Sequence, residues 1–166
     1  MQVWSNRVVE EANLFNPAFC ALLLATTADE FTKKRQQPFP FALAFLVLPV
    51  VLHRGTRSAL PRSTITSLLS WIQDHREALV DFANRVHALR AITREAVTFG
   101  TQHEALAFVE SGAIAVGARR LTATEKRTGL FTNEARECVE RAGFLGRWFA
   151  AAGTVATIYS AWGIAP

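Results

Sequence analysis

The residues of this chain that could move a proton, hold a metal or attack a bond include four histidines, two cysteines and fourteen carboxylates. Their spacing nominates no such chemistry. His53, His75, His87 and His103 occur singly, and His103-Glu104 lacks the second histidine that a zinc-protease helix requires. Cys20 and Cys138 stand far apart without the spacing of a zinc ligand set, and in a reducing compartment both are expected to be small buried thiols. No G-x-S-x-G elbow presents a serine nucleophile. The nine glycines are scattered, with neither a G-x-x-x-x-G-K nor a G-x-G-x-x-G string to cradle phosphate. Asp81 with Arg85, and Arg136 with Glu140, have the four-residue spacing of helix-surface pairs. The expectation is a chain with no catalytic residue, no metal and no cofactor.

What the sequence does supply is contact chemistry. Net charge is +4, unevenly spread: residues 1–30 hold one base and four acids, while residues 31–73 hold six bases and no acid. Residues 74–118 carry four bases against six acids, and residues 119–166 seven against four. Arg54, Arg57 and Arg62, with Lys33, Lys34 and Arg35 upstream, suit a face for phosphate or for an acidic partner. The competing explanation is that these cations sit at helix ends, where each opposes the dipole for about 0.3–1 kcal/mol. Arg119, Arg120, Lys126 and Arg127 form a second cluster, where a wing and its flank would meet a DNA backbone. Arg147-Trp148 is the kind of flat anchor enriched at interface hot spots. Alternatively Trp148, three residues after Leu145, completes a buried helix face, with Gly143 and Gly146 letting another helix come close.

The elements that must position these residues read as mostly helical. Asn16 can cap a helix that Pro17 starts, and Phe19, Leu22, Leu23 and Leu24 give it a wide apolar face. The fourteen residues from Phe39 to Leu52 are almost wholly apolar, yet shorter than the roughly 20 needed to span a bilayer. They predict a buried helix, with Pro40 in its first turn and Pro49 kinking or ending it. Gly55 should cap it in the left-handed conformation, and Pro61 with Ser63 or Thr64 should restart the chain. Leu68, Leu69 and Ile72 then share a face beside Trp71. Asp74 and Glu77 have the spacing of a capping box for a second helix, and a third runs from Ile92 to Gly100. Alternation at Leu106, Phe108, Ile114 and Val116 around Glu110-Ser111-Gly112 predicts a hairpin. Helices over about Thr132–Ala150 and Thr154–Trp162 follow, the latter closed by Gly163.

The predicted fold class is α+β, predominantly helical, with a winged-helix-like centre of three helices and a short β-hairpin between N- and C-terminal helices. With 166 residues, half of them hydrophobic, no repeat and no linker, residues 1–166 are expected to form a single domain. Lys33-Lys34-Arg35 before the apolar run sits too far in for a signal peptide, so a cytosolic protein is expected.

N-P-A-F at 16–19, L-A-F-L-V-L-P-V-V-L-H at 43–53, T-R-S-A-L-P at 56–61, S-W-I at 70–72, T-R-E-A-V-T-F-G at 93–100, G-R-W-F at 146–149 and the terminal G-I-A-P together resemble the middle component of three-component ABC systems. No one of these strings is specific; their order through nearly the whole chain carries the resemblance. It implies a non-enzymatic adaptor encoded with an SMC- or Rad50-like ABC ATPase and an effector, often a nuclease, in bacterial conflict systems such as the Menshen anti-phage system. The implied partners are that ATPase and that effector, with DNA met through the complex, and no membrane. The alternative is a winged-helix DNA-binding protein that senses foreign DNA or regulates its own operon. The family carries no catalytic motif to transfer. Arg54, Arg57, Arg62, Arg147 and Trp148 are therefore nominated for partner contact, and Arg119, Arg120, Lys126 and Arg127 for nucleic acid.

Overall fold

The computed structural model describes residues 15–119 and 132–164. Helix α1 (Pro17–Arg35) is its axis. Asn16 Oδ1 accepts the amides of Ala18 at 2.9 Å and Phe19 at 3.4 Å, Pro17 occupies the first turn, and the chain leaves the helix through Gln36 at φ 58°. Cys20, Ala21, Leu23, Leu24, Ala28 and Phe31 are all buried, because α1 is covered from two sides. Helix α2 (Phe41–Val51) packs beside it and begins at Pro40. Pro49 lies inside α2, and the helix runs only two residues further.

The next segment differs from the sequence expectation in its boundaries. Gly55 does not end α2; it lies in the first turn of a short helix α3 (Arg54–Ala59), capped by His53. The chain restarts at Ser67, not at Ser63 or Thr64: Ser67 Oγ accepts the amide of Ser70 at 3.1 Å and opens α4 (Leu68–Asp74). Leu68, Trp71 and Ile72 are buried on α4, but Leu69 points outward. Asp74 closes α4 instead of capping a new helix, and a single 3₁₀ turn, Arg76–Leu79, follows. The helix expected to begin at Ile92 is the continuation of one helix, α5 (Phe82–Gln102). No proline or glycine interrupts Phe82–Phe99, so nothing in the chain chemistry divides it.

The hairpin forms where alternation placed it. Strand β1 (Leu106–Phe108) pairs antiparallel with β2 (Ile114–Val116), Leu106 opposite Val116 and Phe108 opposite Ile114. Gly112 supplies the positive φ of 75° that the turn requires. Phe39, just before α2, exchanges both backbone bonds with Ile114, at 2.9 and 2.7 Å, and so ties the hairpin to the N-terminal half.

Helix α6 (Asn133–Ala151) is capped by Thr132, and α7 (Val155–Ala161) by Thr154. One side of α1 receives α6 and another α5. At the α1–α6 seam a Cβ on Gly146 would stand 2.2 Å from the Thr27 carbonyl oxygen, so only glycine permits this separation. Thr27 Oγ1 lies within hydrogen-bond distance of both Leu23 O (2.9 Å) and Ala142 O (3.1 Å), satisfying a hydroxyl that is wholly buried between the helices. Both cysteines are buried thiols. The buried apolar residues of both halves form one cluster, closed at one end by Trp71, Trp148, Trp162, Phe82 and Phe144. In that group Phe82 stacks on Trp162 at 4.4 Å and Trp71 meets Trp148 edge to face at 5.5 Å, contacts worth about 0.5–1.5 kcal/mol each beyond their burial.

Candidate interaction surfaces

The nominated arginines and tryptophan separate into buried clamps and exposed contacts. His53 caps α3: its Nδ1 accepts the Thr56 amide at 3.1 Å and lies 2.8 Å from Thr56 Oγ1. That geometry assigns the ring proton to Nε2. Arg85 of α5 reaches the same hydroxyl at 3.3 Å and also donates to the carbonyls of Val80 and Ala78. Partial burial, then the charges of Arg85 and Arg57, hold the His53 imidazolium below the usual histidine range.

Arg57 is 1% exposed and is not a surface contact. It donates to Val51 O at 2.9 Å and to Glu134 Oε1 at 2.8 Å, and its Nε stands 3.3 Å from Glu137 Oε2. Burial opposes its charge, but the Glu134 hydrogen bond and the neighbouring Cys138 and Glu137 outweigh that and raise its pKa. Arg57 thus clamps α3 to the first turns of α6. Trp148 is likewise 1% exposed and serves the interior.

Between α3 and α4 the chain from Leu60 to Ser67 has no helix or strand, yet side chains hold its backbone at two carbonyls and the end of α3 at a third. Trp71 Nε1 donates to Ala59 O at 3.0 Å, Arg141 Nη1 to Pro61 O at 3.1 Å and Trp148 Nε1 to Thr66 O at 2.7 Å. The clasped loop turns Arg62 outward and leaves Ile65 93% exposed, with Leu69 also exposed one turn on. An exposed apolar side chain is ordinary by itself; what sets Ile65 apart is the held backbone beneath it.

The other nominees are placed as follows. Arg54 is exposed. Arg147 is partly exposed and forms an ion pair with Glu30, which also binds Lys33 at 2.9 Å; burial acts against the Glu30 charge, but these two cations prevail and lower its pKa. Arg119 is exposed, its amide donating to Glu104 O at 2.9 Å. Arg120, Lys126 and Arg127 lie outside the described residues.

Sequence reasoning passed over the outward face of α5. His87, Arg90 and Arg94 are exposed there, and among the described residues neither arginine forms an ion pair. The signal was readable: no carboxylate stands three or four residues from Arg90 or Arg94.

Among the described residues no group of three His, Cys, Asp or Glu side chains could hold a metal ion. A cavity of about 290 Å³ beside β2 contains Asp29, already paired with Lys33 at 2.7 Å. A second, of about 90 Å³, contains Arg35, which donates to the carbonyls of Ala150 and Gly153. Neither brings two unpaired ionisable groups together. No helix among the described residues is long and apolar enough to cross a membrane.

No curated protein and no solved structure matches the chain. The family model for the ABC-three component (ABC-3C) system Middle Component 3 matches residues 4–166, nearly the full length. That match covers far more than half of the chain, and the chain belongs to the ABC-3C Middle Component 3 family.

Proposed function

We propose that this protein is a non-enzymatic adaptor that links an SMC- or Rad50-like ABC ATPase to an effector, a nuclease in the simplest arrangement, within a bacterial anti-phage defence system. Membership of a three-component family implies partner components. The observation that carries an adaptor role is the clasped loop: side-chain bonds to the carbonyls of Ala59, Pro61 and Thr66 hold a backbone from which Ile65 and Arg62 face outward, exposed among the described residues. A fixed apolar knob with an adjacent arginine loses little freedom on docking, which favours binding. Co-expression with the two neighbouring gene products should give one complex on a sizing column. Substituting Ile65→Asp should release a partner while leaving the unfolding midpoint in place. Three proteins eluting separately would refute the adaptor role.

A second function, DNA binding by a winged-helix-like unit, draws on the succession of α5, hairpin and exposed Arg119. Charge reversal at Arg119, Arg120, Lys126 and Arg127 should then abolish a salt-sensitive mobility shift. No shift at low salt with the unmodified chain would end that reading.

A further inference from the structure

We propose that the outward face of α5 binds the phosphodiester backbone of nucleic acid, with Arg90 and Arg94 as its principal contacts. The proposal rests on the DNA-binding reading and assigns its surface to the helix in place of the segment after the hairpin. Helix α5 has 21 residues and is about 31 Å long. Phe82, Thr93, Ala96, Val97 and Gly100 turn inward, which leaves His87, Arg90, Ala91, Arg94 and Thr98 along the solvent side.

Two features of that face ask for an anion. Arg90 and Arg94 stand one turn apart with no ion pair among the described residues, and like charges at that spacing oppose the helix that carries them. The fold gains nothing from the arrangement. Glu95, the one carboxylate in α5, lies about 100° round the helix from Arg94, at the margin of the face. Small exposed residues, Ala83 and Ala91, lie beside the arginines and leave the surface low enough for a polymer backbone to approach.

The same face is a poor fit for an acidic protein segment. Protein interfaces are centred on apolar or aromatic anchors, whereas nucleic-acid interfaces are polar and positively charged. Among the described residues the exposed large apolar side chains, Ile65, Leu69, Val80 and Phe108, all lie off α5. Arginine also offers paired donors suited to phosphate oxygens.

The test uses the full chain, a labelled 20-base-pair DNA duplex of random sequence and fluorescence anisotropy over a salt series. R90A/R94A should weaken binding at least tenfold at low salt and lower the salt slope by about two units, since two phosphate contacts are removed. R90K/R94K should retain most of the affinity, and circular dichroism should report an unchanged fold for both variants. If the unmodified chain binds and R90A/R94A binds equally well, the surface is wrongly assigned while the DNA-binding reading stands. If the unmodified chain shows no binding at low salt, both fall. Equal affinity for polyglutamate, lost in R90A/R94A, would overturn the nucleic-acid assignment in favour of an acidic protein.

Discussion

The α1–α6 seam and the corner from α3 to α4 are both tightly held, by opposite means. At the seam, removal of side chains does the work: Gly146 has none, and the Thr27 backbone occupies the space a Cβ would need. At the corner, large side chains do it, with Trp71, Trp148, Arg141 and Arg57 reaching across to carbonyls that no helix or strand would satisfy. Helix contact at backbone distance tolerates no added atom. A clasp made of separate hydrogen bonds should lose its strength one bond at a time.

Substitutions can break that contrast. Gly146→Ala forces α1 and α6 apart along the seam and should cost roughly 3 kcal/mol, the upper part of the usual range for overpacking, read as a lower urea midpoint. Equal stability would mean that the seam is looser than its geometry. Trp148→Phe keeps an aromatic ring but deletes the bond to Thr66 O, for a loss of about 1–2 kcal/mol including the smaller volume. Trp162→Phe sharpens the comparison, because Trp162 Nε1 is buried with no hydrogen-bond partner among the described residues. It should cost about 1 kcal/mol less than the change at Trp148, since no hydrogen bond is lost.

A smaller effect should appear with pH. The folded state holds the His53 pKa below the unfolded value of about 6.5, so its contribution is complete above that pH and is lost as pH falls through the folded value. Protonation puts a hydrogen on the Nδ1 that must accept from Thr56, beside two arginines. His53→Asn caps the helix without titrating and should flatten stability against pH below neutrality; an unchanged slope would remove His53 from the account. The smallest effect is expected at Ile65→Ser, within about 0.5 kcal/mol by urea unfolding, because the loop is held by its carbonyls and not by this side chain.

The same contrast explains what could be read in the sequence. Helix starts with a short polar cap and a matching first turn, at Asn16-Pro17, Thr132 and Thr154, were legible, as was the hairpin, whose alternation and Gly112 act locally. The close α1–α6 approach was half visible in Gly143 and Gly146. The corner was not, because its order comes from distant partners. His53 replaced Gly55 as the local signal by bonding Thr56, and Asp74 lost the capping role when Arg76–Leu79 closed into a single turn. Arg57 reads in the sequence as an exposed cation, and Glu134 and Glu137, far along the chain, supply the opposite charge that offsets its burial. Arg90 and Arg94 were overlooked for a simpler reason: a helix was expected to restart between Leu89 and Ile92, which separated two residues that share one face.

The Phe39–Ile114 bridge has a consequence for solubility. Opposite-side pairing leaves Ala107 facing Ala115, so only Leu106 and Phe108 turn backbone donors and acceptors outward from β1, while Phe39 covers β2 at Ile114. A hairpin with an open edge that short, backed by a strap from elsewhere in the chain, is a poor template for strand-to-strand association between copies. Crowded assemblies can therefore carry this subunit with little risk of its sheet seeding aggregates.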